Sequence, residues 1–215
     1  MSTVITIATS KGGAGKTTTA ELLLGAYASQ GRRVAAIDAD LNHSLSDWIN
    51  RFDQYPMTLR QELDEAKIIP LVEALADDHD VIVIDTAGAA TQATVFAIGC
   101  ADLVLIPCQL SSADVVEAAK TTQLVASAAA MSRQSIPARV LLTDYQPNTV
   151  IAGHVESELV ACGLDVIPTK LNRLVAFKEM TFTGTIPTDG GAGALITSLL
   201  RDVATIVPAL NTPCP

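Results

Sequence analysis

The chain has 215 residues, of which 49% are hydrophobic, 17% charged and 4% aromatic. That length suits one domain or at most two, with a core that must be aliphatic. The net charge of −9 excludes a protein whose whole surface attracts nucleic acid, but it leaves room for a local basic patch.

Four cysteines, Cys100, Cys108, Cys162 and Cys214, form no C-x-x-C pair, and no histidine stands at metal-ligand spacing. They read as free thiols in a reducing cytosol. The N-terminus has no charged and apolar leader, and no apolar run reaches membrane-spanning length. A cytoplasmic protein that does not enter the membrane is expected.

The first predicted element is a strand over 3–9, TVITIAT. A glycine-rich loop follows, and then a helix over 16–30. Strand, loop and helix in that order are what a phosphate-binding loop requires. Gly12, Gly13 and Gly15 let the backbone curl so that successive N–H groups face phosphate oxygens. Lys16 would reach the β- and γ-phosphates, and the Thr17 hydroxyl would ligate Mg²⁺. Ala14 and Thr18 complete the expected nucleotide contacts. The loop departs from the standard G-x-x-x-x-G-K-S/T pattern: Ser10 stands where the first glycine belongs, and Lys11 adds a second positive charge.

A strand over 33–38, RVAAID, ends in Asp38, with Asp40 two residues on. Alternate strand residues share a face, so both carboxylates could point one way. One could hold the metal's water and the other orient the attacking water. Capping is the alternative for Asp40, given Asn42 and Ser44 nearby. The segment 49–66 is short and polar. The strand over 80–85, DVIVID, ends in Asp85, a natural Mg²⁺ partner, and Gly88 allows close backbone approach. Further strands are expected over 102–107, 138–143 and 165–170, with helices over 113–131, 150–162 and 195–206. Asp144 could accept from an adenine amino group or cap the helix after it. The tail 211–215 reads as frayed. Alternating β and α segments over 1–215 predict a single α/β domain of the P-loop NTPase fold. Its sheet should be mostly parallel, with helices on both faces.

Lys11 to Thr17 reads KGGAGKT and resembles the ParA/MinD family of deviant Walker ATPases. IDAD resembles the family's second acidic motif, and IDTAG its Walker B and switch II segment. LIPCQLSSADVVEA (105–118) and LNRLVAFKEM (171–180) resemble later ParA stretches. The chain is similar to small ParA proteins without an N-terminal helix-turn-helix, and it lacks a MinD-type basic amphipathic C-terminal helix. The run DADLNHSLSDW departs from the family, with Leu41, Asn42 and His43 in place of its usual residues. With Trp48, it resembles VirC-type relatives associated with conjugative DNA transfer. His43 itself reads as a surface loop residue.

The resemblance implies an ATP- and Mg²⁺-dependent homodimer in which Lys11 reaches the partner's phosphates. Lys11, Lys16 and Asp40 would then be catalytic, and Thr17, Asp38 and Asp85 would attend the metal. The Thr185–Pro187 turn would line the base pocket. It implies a nucleoid-associated switch that positions DNA cargo, chiefly plasmids, with slow turnover until a ParB-like partner acts. Lys170, Arg173, Lys178 and Arg201 would supply a non-specific DNA patch. The bland readings are a solvated face, or Arg173 paired with a carboxylate. Conjugative transfer and biosynthetic or metal-delivery ATPase chemistry are the alternative functions.

Overall fold

The computed structural model describes residues 2–211. Residues 212–215, with Cys214, lie outside that range, so the expected frayed tail is described only at Asn211, which closes a 3-10 turn (Pro208–Asn211). The strands are β1 (Thr3–Ile7), β2 (Val34–Ala39), β3 (Met57–Gln61), β4 (Val81–Thr86), β5 (Leu103–Cys108) and β6 (Ala138–Leu142). The helices are α1 (Lys16–Ser29), α2 (Ser44–Phe52), α3 (Glu65–Ala76), α4 (Gln92–Gly99), α5 (Ser112–Ser132), α6 (Val150–Ala161), α7 (Val175–Thr183) and α8 (Gly190–Ile206). Among the described residues, no helix is long and apolar enough to cross a membrane.

The strands form one all-parallel sheet in the order β3-β2-β4-β1-β5-β6. Aliphatic runs suit such a sheet because both of its faces are covered. Successive side chains point to opposite faces. Ile5, Val83 and Leu105 therefore join one core with α1, α2, α7 and α8. Val104 and Ile106 pack under α5 and α6, and Ile82 and Ile84 under α3 and α4. Leu22, Leu23 and Leu24 of α1 are all fully buried, so this helix is enclosed on nearly every side.

Two sequence expectations change. The segment 165–170 is not a strand: it makes one bridge, Val140 to Val166. Pro168 has no N–H to give, and the Thr169 N–H donates to Asp202 instead, at 2.8 Å. Conversely, the polar stretch 49–66 contains β3, whose five residues are partly or fully exposed at the sheet edge. It also contains part of α2, a helix that turns Leu45 and Trp48 into the core. Helices α3, α4 and α7 have no counterpart in the sequence expectations.

Candidate nucleotide-binding site

The chain leaves β1 for β2 on one side of the sheet and later crosses to β5 on the other. The strand order thus reverses at β1, and the crevice at its C-terminal end is where such folds bind ligands. The glycine-rich loop fills this position. Gly13 and Gly15 have φ of +77° and +96°, which glycine adopts without strain. Three loop carbonyls are anchored. Thr143 Oγ1 donates to Ala14 O at 2.8 Å, Gln109 Nε2 to Gly13 O at 2.9 Å, and Lys16 Nζ to Lys11 O at 3.2 Å. With these carbonyls occupied, an anion meets the loop through its N–H groups. Gly88 lies against the loop so closely that a Cβ there would stand 3.2 Å from Gly12 Cα and 3.4 Å from Lys16 Nζ.

Lys16 is 6% exposed, and burial lowers its pKa while Asp85 and Asp40 oppose that shift. Thr17 Oγ1 donates to Asp85 Oδ2 at 2.7 Å. Asp85 and Asp38 are register partners on adjacent strands, 1% and 0% exposed. Burial pushes the Asp85 carboxyl up to about 7; the Thr17 bond opposes this and Asp38 adds to it. Asp85 Oδ1 has no hydrogen-bond partner. A hydroxyl beside a carboxylate with one unpaired oxygen suits a hard divalent cation that takes its other ligands from phosphate and water. Among the described residues there is no cluster of three or more His, Cys, Asp or Glu that could hold a metal ion.

The other two acids are engaged differently from expectation. Asp38 Oδ2 accepts from both the N–H and the hydroxyl of Ser46, at 2.9 and 2.7 Å, and so ties β2 to the first turn of α2. Asp38 therefore lies beside the proposed metal position with its carboxylate already committed. Asp40 lies one residue beyond β2, near enough for its charge to act on Lys16 and Asp85. Its Oδ1 accepts from Asn42 N and Nδ2, both at 3.0 Å, which is the capping alternative.

A cleft of about 560 Å³ opens beside the loop, lined by Gly15 and Thr18 together with Asp144, Arg173, Phe177 and Phe182. Asp144 and Arg173 form a two-bond ion pair, one bond being Nε to Oδ1 at 2.7 Å. Asp144 does not cap α6; Thr149 does, accepting from Ala152 N at 3.3 Å. The Thr185–Pro187 turn, expected here, is elsewhere. Ile186 N donates to the Tyr55 hydroxyl at 2.9 Å, and the Ile186 side chain packs on Gly25 of α1. Pro187 does not line the cleft.

Residues 2–194 match the family model described as VirC1 protein. The chain belongs to the VirC1 family. It is 31% identical to Protein ParA of Rhizobium radiobacter over 183 residues, covering 82% of this chain and 81% of that protein. The cell division ATPase MinD of Pyrococcus furiosus superposes with a TM-score of 0.80 at 17% identity, over 96% of this chain and 100% of the other. A Cyanothece McdA–ATP complex gives 0.77 at 19% identity, over 100% and 98%. At such identities these two structures speak for the fold, which is the MinD/ParA type of P-loop NTPase.

In this VirC1-family chain three of the four basic residues expected as a DNA patch line two different clefts. Arg173 pairs with Asp144 in the cleft beside the glycine-rich loop, which Lys178 also lines. Lys170 sits in a second cleft, 2.5 Å from Glu156 and over the Tyr145 ring. Sequence reasoning missed Gln109, Thr143 and Ser46. Each is a common polar residue whose role appears only once distant segments meet.

Buried Glu21, on α1 one turn beyond Thr17, was also missed. It is 4% exposed, and its Oε2 has no partner. Burial, with help from Asp85, raises its pKa from 4.5 to about 8. The unfolded chain releases this proton near 4.5 and the folded chain only near 8, so stability falls as pH rises between those values. The variant Glu21→Gln removes that cost. Its melting temperature should exceed wild type by about 5 °C at pH 8 and scarcely differ at pH 5. An equal difference at both pH values would contradict the assignment.

Proposed function

We propose that this VirC1-family chain is an ATPase switch that dimerises on binding Mg²⁺ and ATP and positions DNA cargo, most directly a plasmid. The observation that carries this reading is the loop itself. Lys16 is buried under it, Thr17 is bonded to an under-satisfied Asp85, and a second lysine, Lys11, stands at its shoulder. Thr17 and Asp85 would hold the cation, which supplies charge neutralisation at the phosphates when bound. Lys16 and the loop amides would bind the β- and γ-phosphates, with Gly12 to Thr18 forming the cradle. Asp40, at the rim, would orient the attacking water when the Asn42 turn opens. Lys11 would act on the partner's nucleotide. The cleft beside Thr18 and Asp144 would take the base.

The ParA relative and the McdA–ATP complex support this reading. A ParB-like adaptor would stimulate turnover, and duplex DNA would be bound without sequence preference on the nucleoid. The DNA reading rests on resemblance, because Lys170 and Arg173 are each matched by a carboxylate. Binding to random duplex should therefore need ATP and fall steeply with salt. A titration with ATP and with ADP at low salt tests this; no ATP-dependent binding there removes DNA from the reading. The VirC1 match favours a second reading, in which the cargo is DNA undergoing conjugative transfer. Deleting the gene and scoring plasmid loss against transfer frequency separates the two.

Two variants test the switch. Lys11→Ala should bind ATP with near wild-type affinity but remain monomeric by light scattering. Asp40→Ala should bind ATP and dimerise, with turnover reduced about 100-fold, within the range for a positioned acid–base group. Wild-type turnover in that variant would remove Asp40 from the chemistry.

A further inference from the structure

The two residues by which the loop departs from the standard pattern, Ser10 and Lys11, both bond to α5. Ser10 Oγ donates to Glu117 Oε2. Lys11 Nζ donates to Asp114 Oδ2 at 2.6 Å. Asp114 and Glu117 are three residues apart and so share one helix face. Asp114 is 3% exposed; Ser111 Oγ bonds the same Oδ2, and Oδ1 has no partner. The Lys11 side chain keeps 35% of its surface exposed.

We infer that Asp114 is a positioning residue that holds Lys11 within its own chain and withholds it from a second molecule until the contact is broken. The inference rests on the proposed role of Lys11 in the partner's site. Hydrogen bonds between ionised groups are about twice as strong as neutral ones. If Lys11 leaves, Asp114 is left buried with no cation beside it, which is costly. The contact therefore opposes dimerisation, and the partner's phosphates must compete with Asp114 for the ammonium group. The Ser10–Glu117 bond keeps the preceding residue on the same helix, so the two contacts act as one latch. This supplies a physical reason for a serine at position 10. A glycine there would have no side chain with which to grip α5.

The test follows the monomer–dimer distribution against ATP by light scattering. Affinity for a fluorescent ATP analogue is measured separately at protein concentrations that keep the chain monomeric. Asp114→Asn retains the volume and an acceptor for Ser111 but removes the charge. The ATP concentration at half-dimerisation should fall about tenfold, the equivalent of about 1.4 kcal/mol. Monomer affinity should stay unchanged, a split that general loosening of the fold would not give. Glu117→Ala, at a more exposed position, should lower the same midpoint by about twofold, since exposed contacts are worth less. That second variant decides the matter if Asp114→Asn does not fold. An unchanged or raised midpoint in folded Asp114→Asn, while Lys11→Ala stays monomeric, overturns the latch and leaves the role of Lys11 standing. A Lys11→Ala variant that dimerises like wild type overturns that role, and the latch with it.

Discussion

Replacing Lys16 with alanine is expected to weaken ATP binding by about 100-fold or more. The ammonium group lies at the mouth of the phosphate loop, 3.2 Å from Lys11 O and close to the Gly88 backbone. Its pKa is lowered mainly by burial, and the lysine sits among the negative charges of Asp85 and Asp40. Neutral loop amides can cradle a phosphate, but they cannot cancel its charge. Each hydrogen bond to a charged group contributes about 1.5–3 kcal/mol, and a lysine bridging two phosphates makes more than one. The substitution also leaves Asp85 and Asp38 side by side without the Lys16 cation, so an incoming triphosphate meets a more negative site. Calorimetric titration with Mg–ATP measures the effect, and circular dichroism checks that α1 and the sheet persist. Affinity within a few-fold of wild type would remove Lys16 from the site and undo the nucleotide reading.

The second large effect concerns stability. Gly184→Ala is expected to lower the unfolding free energy by about 2–5 kcal/mol. Gly184 ends α7 with φ of +69°, a left-handed conformation that costs a residue with a Cβ about 1–2 kcal/mol. A Cβ there would also stand 2.2 Å from Phe52 Cβ and Cγ. Phe52 cannot swing away freely, because it packs edge-on against Trp48, whose Nε1 donates to Met180 O at 3.1 Å. For a chain of this size the melting temperature should fall by about 5–15 °C. Trp48 is the one tryptophan, so its fluorescence reports the transition at the affected junction. Gly191→Ala is the control. It lies in α8, where an added Cβ would have nothing within 4 Å, and it should be neutral or stabilising by about 0.5–1 kcal/mol. Equal melting temperatures for Gly184→Ala and wild type would mean that the α2–α7 junction is looser than its packing implies.

Much of this molecule is decided by short stretches of chain acting alone. The left-handed turns at Gly13 and Gly15 follow from the lack of a Cβ in single residues. The aliphatic strands declare themselves by composition, and strand, loop and helix in sequence place Lys16 and Thr17 at the crevice beyond the end of β1. Other features depended on which segments become neighbours. Thr17 and Asp85 are 68 residues apart, Lys11 and Asp114 are 103 apart, and Thr143 reaches Ala14 across 129. A lysine, a threonine or an aspartate looks the same in sequence whether it faces solvent, a phosphate or another side chain. Its partner is set by strand order and register, and these are global properties. Asp38 illustrates the point: its position at a strand end was legible, but its commitment to Ser46 was not, because that depends on where α2 docks. The same holds for β3. Its five residues carry too little apolar pattern to announce a strand, and the open edge of β2 makes them one by offering a row of backbone partners.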